Sequence, residues 1–477
     1  MKKFLLKRSF QASYRELPKR ENAERNSLGF FWLTKAVLCG FSMIGLVSSG
    51  FSQEVTSSEL LTLEEAIDLT LANNYDIKIE RYNQEVGDNN VSRALAGQLP
   101  RLDLTMNYEF GYSDAEIQTL GSGSEESPTQ NLDGTAQTFS IAPELSVPLF
   151  SGFRNRYRYK QLETSSRIGA QRVNQTVELS IRSTVIAYLE VARLQSQLSI
   201  DTDIIEISRD RYIRMVQDAN YGAANTLGKL QAEVDLKTDS ANYRNTALSY
   251  ENSMRDLNLI MAQPPHKMYR VSEEILLVEK LEYEVLREEM LANNANLNLS
   301  KLNLKHANYE SEIAKSTYAP SLSAYANYSY LDSENEANFL QSQQVYGPNV
   351  GIRMSWNLFN GGSNKVKRQN AGIQLRQQQA MLESTEMMME KELKNVYSQY
   401  LNHREQLRIA QSNLPTYQLN YDKTSDDFKL GLVDASDVRT AQLNLASAKN
   451  RMNNLSYGIK QSEVRLLELS GRLNLEK

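Results

Sequence analysis

The chain carries one domain-sized sequence twice. Leu71-Ala72-Asn73-Asn74 returns as Leu291-Ala292-Asn293-Asn294, and at the same offset of 220 Pro100, Leu102, Asn107 and Tyr108 return as Pro320, Leu322, Asn327 and Tyr328. Further on the offset is 209, pairing Leu149-Phe150 with Leu358-Phe359, Gly222 with Gly431, Ala232 with Ala441 and Leu257 with Leu466. The 11-residue change falls between Tyr108 and Leu149, in a stretch rich in Gly, Ser and acidic residues, and so marks a loop of different length in each copy. Solenoid repeats run to roughly 20–50 residues. A period about four times longer means a duplicated fold unit and a pseudo-symmetric architecture.

Residues 1–52 read as a secretory signal with an extended basic lead. Basic residues from Lys2 to Lys35 precede an apolar run over 36–47, and small residues follow with Gly50 and Ser52 at positions −3 and −1. Cleavage is expected between Ser52 and Gln53. The run of about 12 residues is too short to span a bilayer as a helix, which needs roughly 20. Cys39 follows Leu38 and not a small residue, which argues against a lipid-bearing cysteine, and no cysteine follows it. The exported chain therefore has neither disulfides nor a thiol nucleophile. Losing the nine basic and three acidic residues of the leader takes the formal charge from −5 to −11, a poor match to nucleic acid. Mean hydropathy is −0.51, and no run of 18 apolar residues occurs after residue 52. A membrane, if entered, must be entered with strands.

Repeat 1 is expected over 53–262, a linker over 263–280 containing Gln263-Pro264-Pro265-His266, and repeat 2 over 281–477. Thr62-Leu63-Glu64-Glu65 has the capping-box pattern, in which hydroxyl and carboxylate satisfy orphan N–H groups at a helix start. Leu63, Ile67 and Leu71 then recur at helical spacing, and the helical pattern runs to Leu99, where Pro100 stops it as Pro320 stops its counterpart. The period next switches to two. Leu102, Leu104, Met106, Tyr108, Phe110 and Tyr112 alternate with Asp103, Thr105, Asn107, Glu109 and Gly111. The same alternation predicts strands over 101–112, 139–150, 321–330 and 348–359, with polar loops over 113–138 and 331–347. Strands of about ten residues with aromatics near their ends suit a membrane-spanning barrel. Pro143, inside one of them, speaks against a fully paired ladder. Helices of about 60 residues, on the order of 90 Å, follow from 154 and from 364. In the second, Leu375, Leu382, Met389 and Val396, and Leu393, Tyr400, Leu407 and Leu414, keep heptad spacing, which predicts coiled-coil packing. Pro415 should kink or break that helix. Gly222 and Gly431 end the long helices, and shorter helices return through 236–260 and 445–469.

Four strands cannot close a barrel. About eight are needed, and an open edge in hydrocarbon leaves unpaired backbone groups at several kcal/mol each. The chain must therefore oligomerise through its strands, two copies giving eight and three giving twelve. The run Leu99-Pro100-Arg101-Leu102, the paired strand-to-helix signatures Val147-Pro148-Leu149-Phe150-Ser151-Gly152 and Trp356-Asn357-Leu358-Phe359-Asn360-Gly361-Gly362, and Gly431-Leu432-Val433-Asp434-Ala435-Ser436-Asp437-Val438 resemble TolC-type outer-membrane efflux proteins across 60–473. The resemblance implies an α+β membrane protein, a duplicated helix-strand-strand-helix unit. Three copies would form a 12-stranded outer-membrane β-barrel continued by a long α-helical coiled-coil tunnel across the periplasm of a Gram-negative cell. It further implies passive export of small molecules or proteins, as the outer-membrane component of a tripartite efflux or type I secretion system. The partners would be a periplasmic adaptor at the helix tips, an inner-membrane transporter and outer-membrane lipid. No cofactor, metal or enzymatic activity is implied.

Within that resemblance Asp437 matches one of two aspartates ringing the tunnel constriction; Thr440 stands at the second position and Asp434 nearby. Gly228 and Val433 depart from the pattern, so they cannot supply the inter-helix polar lock of some relatives. Asp437 also fits a plain helix-capping role. Gly222, Asn225, Gly431 and Val433 fall at the helix-tip turns that would meet the adaptor, and Gly222 and Gly431 equally suit helix ends with positive φ. Glu144 and Arg353 occupy equivalent positions on the polar strand faces and should project into a lumen, or form a salt pair there. Pro100, Pro320, Phe150, Phe359, Gly152 and Gly361 mark the strand–helix junctions, and Trp356, Tyr108 and Tyr328 read as membrane-interface residues or ordinary packing. His266, His306 and His403 are too scattered for a metal site, and Met387-Met388-Met389 points three ways round a helix. The competing reading is a structural or adhesive trimeric surface stalk, whose axis would be filled with apolar side chains.

Overall fold

The computed structural model describes residues 60–118, 129–220, 226–273, 281–337 and 340–473; the expected leader and its cleavage site at Ser52 and Gln53 lie outside them. In chain order the elements are β1 (Leu60–Leu61), α1 (Leu63–Asn73), α2 (Tyr75–Asn89), β2 (Arg101–Gln118), β3 (Thr129–Phe150), α3 (Arg154–Asn220) and α4 (Thr226–Ile260). The second repeat supplies β4 (Arg270–Val271), α5 (Tyr283–Asn293), α6 (Ala295–Lys315), β5 (Ser321–Asn335), β6 (Ser342–Ser355), α7 (Ser363–Lys429) and α8 (Ala435–Leu469).

The capping box at α1 forms as expected: Thr62 Oγ1 accepts from the Glu65 N–H at 3.2 Å and Glu65 Oε2 from the Thr62 N–H at 2.9 Å. The helix predicted to run to Leu99 does not. It breaks at Asn74 and ends at Asn89, and turns cover the stretch before Pro100. Asn74 leaves helical geometry at φ −54, ψ 132. Its Oδ1 accepts from the N–H groups of Asp76 and Ile77 at 2.9 and 3.2 Å, and its Nδ2 donates to the Ile260 carbonyl at the end of α4, at 2.9 Å. Asn294 repeats this, accepting from Asn296 and Leu297 and donating to the Leu469 carbonyl at 3.0 Å. The duplicated Leu-Ala-Asn-Asn signature is thus a splice that caps one helix and ties it to the end of another. Apolar periodicity hid the break, because it continues across the asparagine.

Replacing Asn294 with alanine removes an N-cap and leaves a buried carbonyl without its donor, together about 2–3 kcal/mol. Hydrogen exchange at the start of α6 and the end of α8 should accelerate by about 30-fold or more, while Asn294→Asp, which keeps the acceptor, falls between. Unchanged exchange would mean that water serves these groups.

Helix α8 ends at Gly471 with φ 73, where a Cβ would lie 2.9 Å from the Asn293 carbonyl oxygen. The corresponding residue of repeat 1, Ala262, adopts the same left-handed conformation at φ 52 without being glycine, and the Gln263 N–H closes the turn onto the Asn258 carbonyl at 2.8 Å. The strand–helix junctions show a similar asymmetry. Phe153 holds φ 65 where repeat 2 has Gly362 at φ 84, and packs edge-to-face on Phe150 at 5.4 Å. Gly152 is sterically required, since a Cβ there would meet the Ala319 Cβ at 2.6 Å; Gly361 has open space and is used for its φ of 65. Phe359 is exposed.

The strands form one antiparallel sheet in the order β2-β3-β5-β6. Register places Leu102, Leu145, Ala326 and Val350 in one row, and Asp103, Glu144, Asn327 and Asn349 in the next. One face is therefore apolar and the other polar. All four strands outrun their expected lengths at the loop end: β2 continues to Gln118, β3 begins at Thr129, β5 reaches Asn335 and β6 begins at Ser342. Much of the two expected loops is ladder, because backbone pairing needs no apolar alternation. In the opposite direction β6 stops at Ser355, so Trp356 and Leu358 lie beyond it; the Trp356 indole donates to the Tyr318 carbonyl at 3.1 Å. Pro143 sits where the β3–β5 pairing is interrupted between Ile141 and Glu144, as its missing N–H requires. Among the described residues the outer edges of β2 and β6 have no partner strand.

Two apolar cores, one per repeat, lie where the short helices cover the long ones. Ile77, Ile181, Tyr188, Met254, Leu257 and Met261 centre the first, and Leu286, Met290, Leu393, Tyr400, Ile459 and Leu466 the second. Of the heptad positions Met389, Leu393, Tyr400 and Leu407 are buried, while Met387 and Met388 stay exposed. Two-residue strands β1 and β4 pair in parallel across the first core. Toward the sheet the helices pack in the order α2-α3-α6-α7, and away from it α4-α3-α8-α7. Helix α7 runs unbroken through Pro415.

Candidate functional site at the hairpin tips

The α7–α8 hairpin turns where the sequence predicts. Gly431 takes φ 74, with no atom near its absent Cβ, and the Leu432 N–H returns to the Asp427 carbonyl at 2.9 Å. Asp434 is the N-cap of α8 and its N–H donates to Asp437 Oδ2 at 3.2 Å. Asp437 therefore takes part in the cap of α8 and is exposed at the tip. Thr440 is exposed one turn further along, its hydroxyl donating to the Ser436 carbonyl at 2.9 Å. Val433 lies beside them, lining a cleft of about 920 Å³ between the two hairpins. Gly222 and Asn225, the matching turn of repeat 1, lie outside the described residues.

A buried polar network that the sequence reading missed joins the hairpins behind this tip. Asp239 on α4 accepts from Arg439 on α8 through both carboxylate oxygens, at 2.7 and 2.8 Å, and from Ser208 Oγ on α3 at 2.5 Å. Arg211 on α3 donates to Asp235 at 2.7 Å, and Gln442 Nε2 on α8 donates to the Ile204 carbonyl at 3.0 Å and to Ser208 Oγ at 3.1 Å. Only 4% of the Asp239 side chain and 3% of that of Arg211 are exposed. Burial pushes the Arg211 guanidinium below its usual range, with the Asp235 carboxylate opposing that and the neighbouring Arg439 cation adding to it. At the end of α3, Arg214 donates to the Lys429 carbonyl at 2.8 Å and sits 5.2 Å from the Phe428 ring centre. The only available signals were an Asp at i and i+4 on α4, Ser and Arg at i and i+3 on α3, and Arg and Gln at i and i+3 on α8. Solvated faces look the same in sequence.

On the polar face of the sheet, Glu144 and Arg353 form the expected pair at 3.4 Å. The guanidinium also lies 4.6 Å from the Tyr325 ring centre, and that ring covers Gly351, where a Cβ would meet it at 2.8–2.9 Å. Both charged groups are substantially exposed, so the pair stabilises little. Near the C-terminal end of α8 a different cluster joins the repeats. Glu468 on α8 meets Arg182 of α3 at 3.1 Å and Arg465 at 2.6 Å, while Arg465 also holds Glu392 of α7. Burial, helped by the charge of Glu468, pushes the nearby Glu178 carboxyl up to about 7. His266, His306 and His403 stand on separate elements.

The sequence matches the outer membrane efflux protein family over residues 66–263 and 286–472. It is 22% identical over 434 residues to the proteases secretion protein PrtF of Dickeya chrysanthemi, covering 88% of this chain and 90% of that one. The fold is similar to that of the CmeC outer membrane channel of Campylobacter jejuni, with a TM-score of 0.72, 17% identity and 87% of each chain covered. It is likewise similar to the outer membrane protein VceC of Vibrio cholerae, with a TM-score of 0.69, 13% identity and coverage of 86% and 96%.

Proposed function

The chain belongs to the outer membrane efflux protein family, and from that premise we propose that three copies close a 12-stranded barrel in the outer membrane and continue it as a helical tunnel through the periplasm. The protein is the outer-membrane channel of an efflux or secretion system. The observation that carries the trimeric reading is the sheet: four long strands, bare on an apolar face and, among the described residues, unpaired at both edges. Hydrocarbon tolerates neither open edge, and the apolar face suits lipid. The helical layers have free edges in the same sense, α2 and α4 on one side and α7 on the other. Exposed Tyr75, Ile79, Tyr82 and Val86 form a stripe along α2, and Leu227, Leu230 and Val234 begin another on α4. Covering them with the α7 of a neighbouring copy closes the wall.

Export is passive. The polar strand face supplies Asp103, Glu144, Asn327 and Arg353 to the lumen, which favours a wetted duct over a stalk with an apolar axis. Energy comes from an inner-membrane transporter, reached through a periplasmic adaptor that meets the tips at Gly222, Asn225, Gly431 and Val433. Residues 1–52 are removed on export, between Ser52 and Gln53. Three Asp437 carboxylates, with Asp434 and Thr440 beside them, ring the periplasmic entrance. The Asp239–Arg439 network holds each pair of hairpins together behind it.

A ring of like charges attracts cations. In a planar bilayer the purified protein should conduct with a cation preference, and polyvalent cations added on the periplasmic side should block it. Asp437→Asn keeps an oxygen for the cap and should weaken that block about tenfold, with no change in assembly. A non-conducting protein would favour the adhesive stalk; conductance with unaltered block would leave Asp437 as a helix cap alone.

A further inference from the structure

The helix seams just below the sheet differ between the repeats. In the first, α2 and α3 touch at two glycines: a Cβ at Gly87 would lie 3.7 Å from the Ser166 Cα, and one at Gly169 3.5 Å from the Gln84 Cα. A methyl group at either glycine would already be in van der Waals contact with the facing backbone. Ile168, the neighbour of Gly169 on α3, is buried. At the duplication offsets these residues correspond to Ala307, Gln378 and Gln377. Larger and more polar side chains thus stand in the seam between α6 and α7, which opens into a groove of about 720 Å³ lined by Ser300, Asn303, His306, Glu310, Gln377 and Gln378.

This volume is in the range of small-molecule sites, but the lining is not that of a drug pocket, which is mostly apolar. Amides and hydroxyls offer donors and acceptors side by side, the complement of vicinal hydroxyl groups. Ser300 Oγ lies 3.5 Å from Thr385 Oγ1, a contact that joins α6 to α7. Glu310 accepts from Gln161 of α3 at 3.1 Å, which fixes its place at the rim. Burial lowers the His306 imidazole below its usual value, against the pull of Glu310 and with that of Arg158. It is therefore neutral at pH 7, and the lining residues include no Lys or Arg to hold a phosphate or carboxylate. The geometry points to a binding site, in repeat 2 only, for a neutral polyhydroxylated ligand of the size of a di- or trisaccharide.

The test uses the full chain in detergent, with maltotriose as the probe and glucose 6-phosphate as the anionic comparison, followed by calorimetry and by saturation transfer from protein to ligand protons. Saturable maltotriose binding is expected. It should weaken at least tenfold when Gln377→Ile and Gln378→Gly are combined to restore the residues of repeat 1, and also in His306→Val, which is retained should the double variant not fold. Particle mass and bilayer conductance should stay unchanged in both, which separates this site from the channel reading. The assignment is overturned if wild type shows no saturable maltotriose binding, if both variants bind as wild type does, or if glucose 6-phosphate binds more tightly than maltotriose.

Discussion

Asp239→Ala should loosen the paired hairpins more than any other single change at the tip. It removes the acceptor of two Arg439 hydrogen bonds and one from Ser208, and leaves Arg439 and Arg211 with the Asp235 carboxylate and the longer, neutral contacts to Gln442 and Ser208. Breaking one side of a buried ion pair costs about 3–5 kcal/mol, mostly because the other charge stays buried. The network lies outside both apolar cores, so the loss is local. Amide exchange over 226–240 and 435–445 should accelerate by about 100-fold or more, and conductance should rise as the entrance slackens. Asp239→Ala with Arg439→Met, which removes both charges, should recover most of the protection. Wild-type exchange in Asp239→Ala would mean that the network is not what joins the hairpins.

The second large effect is pH dependence around Glu178 on α3. The Glu178 carboxyl titrates near 7 in the folded protein against 4.5 when unperturbed. Its folded value is raised, so the stability it contributes is fully present below pH 4.5 and is lost as pH rises through 7. The charged group acting on it is Glu468 of α8, which pairs with Arg182 of α3 and with Arg465, itself bound to Glu392 of α7. Glu468 is already engaged by two arginines. A gap of about 2.5 units corresponds to on the order of 2–3 kcal/mol once partial solvent access is allowed for. Protection of the α3–α8 contact should therefore fall between pH 5 and pH 8, and Glu178→Gln should flatten that slope by keeping a neutral side chain throughout. An equal slope in Glu178→Gln would place the titration elsewhere.

What the sequence disclosed follows the physics of each element. The duplication, the alternating strands, the long helices and the Gly431 turn were legible because each rests on local periodicity or on one residue's conformational freedom. The role of Leu-Ala-Asn-Asn was not. Its repetition was plain, but Asn74 and Asn294 act on carbonyls 186 and 175 residues away. The Asp239–Arg439 pair spans 200 residues, and nothing local separates it from ordinary surface charge. Strand ends were underestimated because polar ladder beyond an apolar band still pairs. Ala262 and Phe153 hold positive φ where repeat 2 uses glycine, so only comparison of the copies could have flagged them.

Because the described residues of one chain supply four strands to the large sheet, assembly decides the account. Light scattering of the detergent-purified protein, corrected for bound detergent, measures it directly. The account predicts a single species with the mass of three mature chains. A stable monomer that keeps its β-sheet circular dichroism would contradict it.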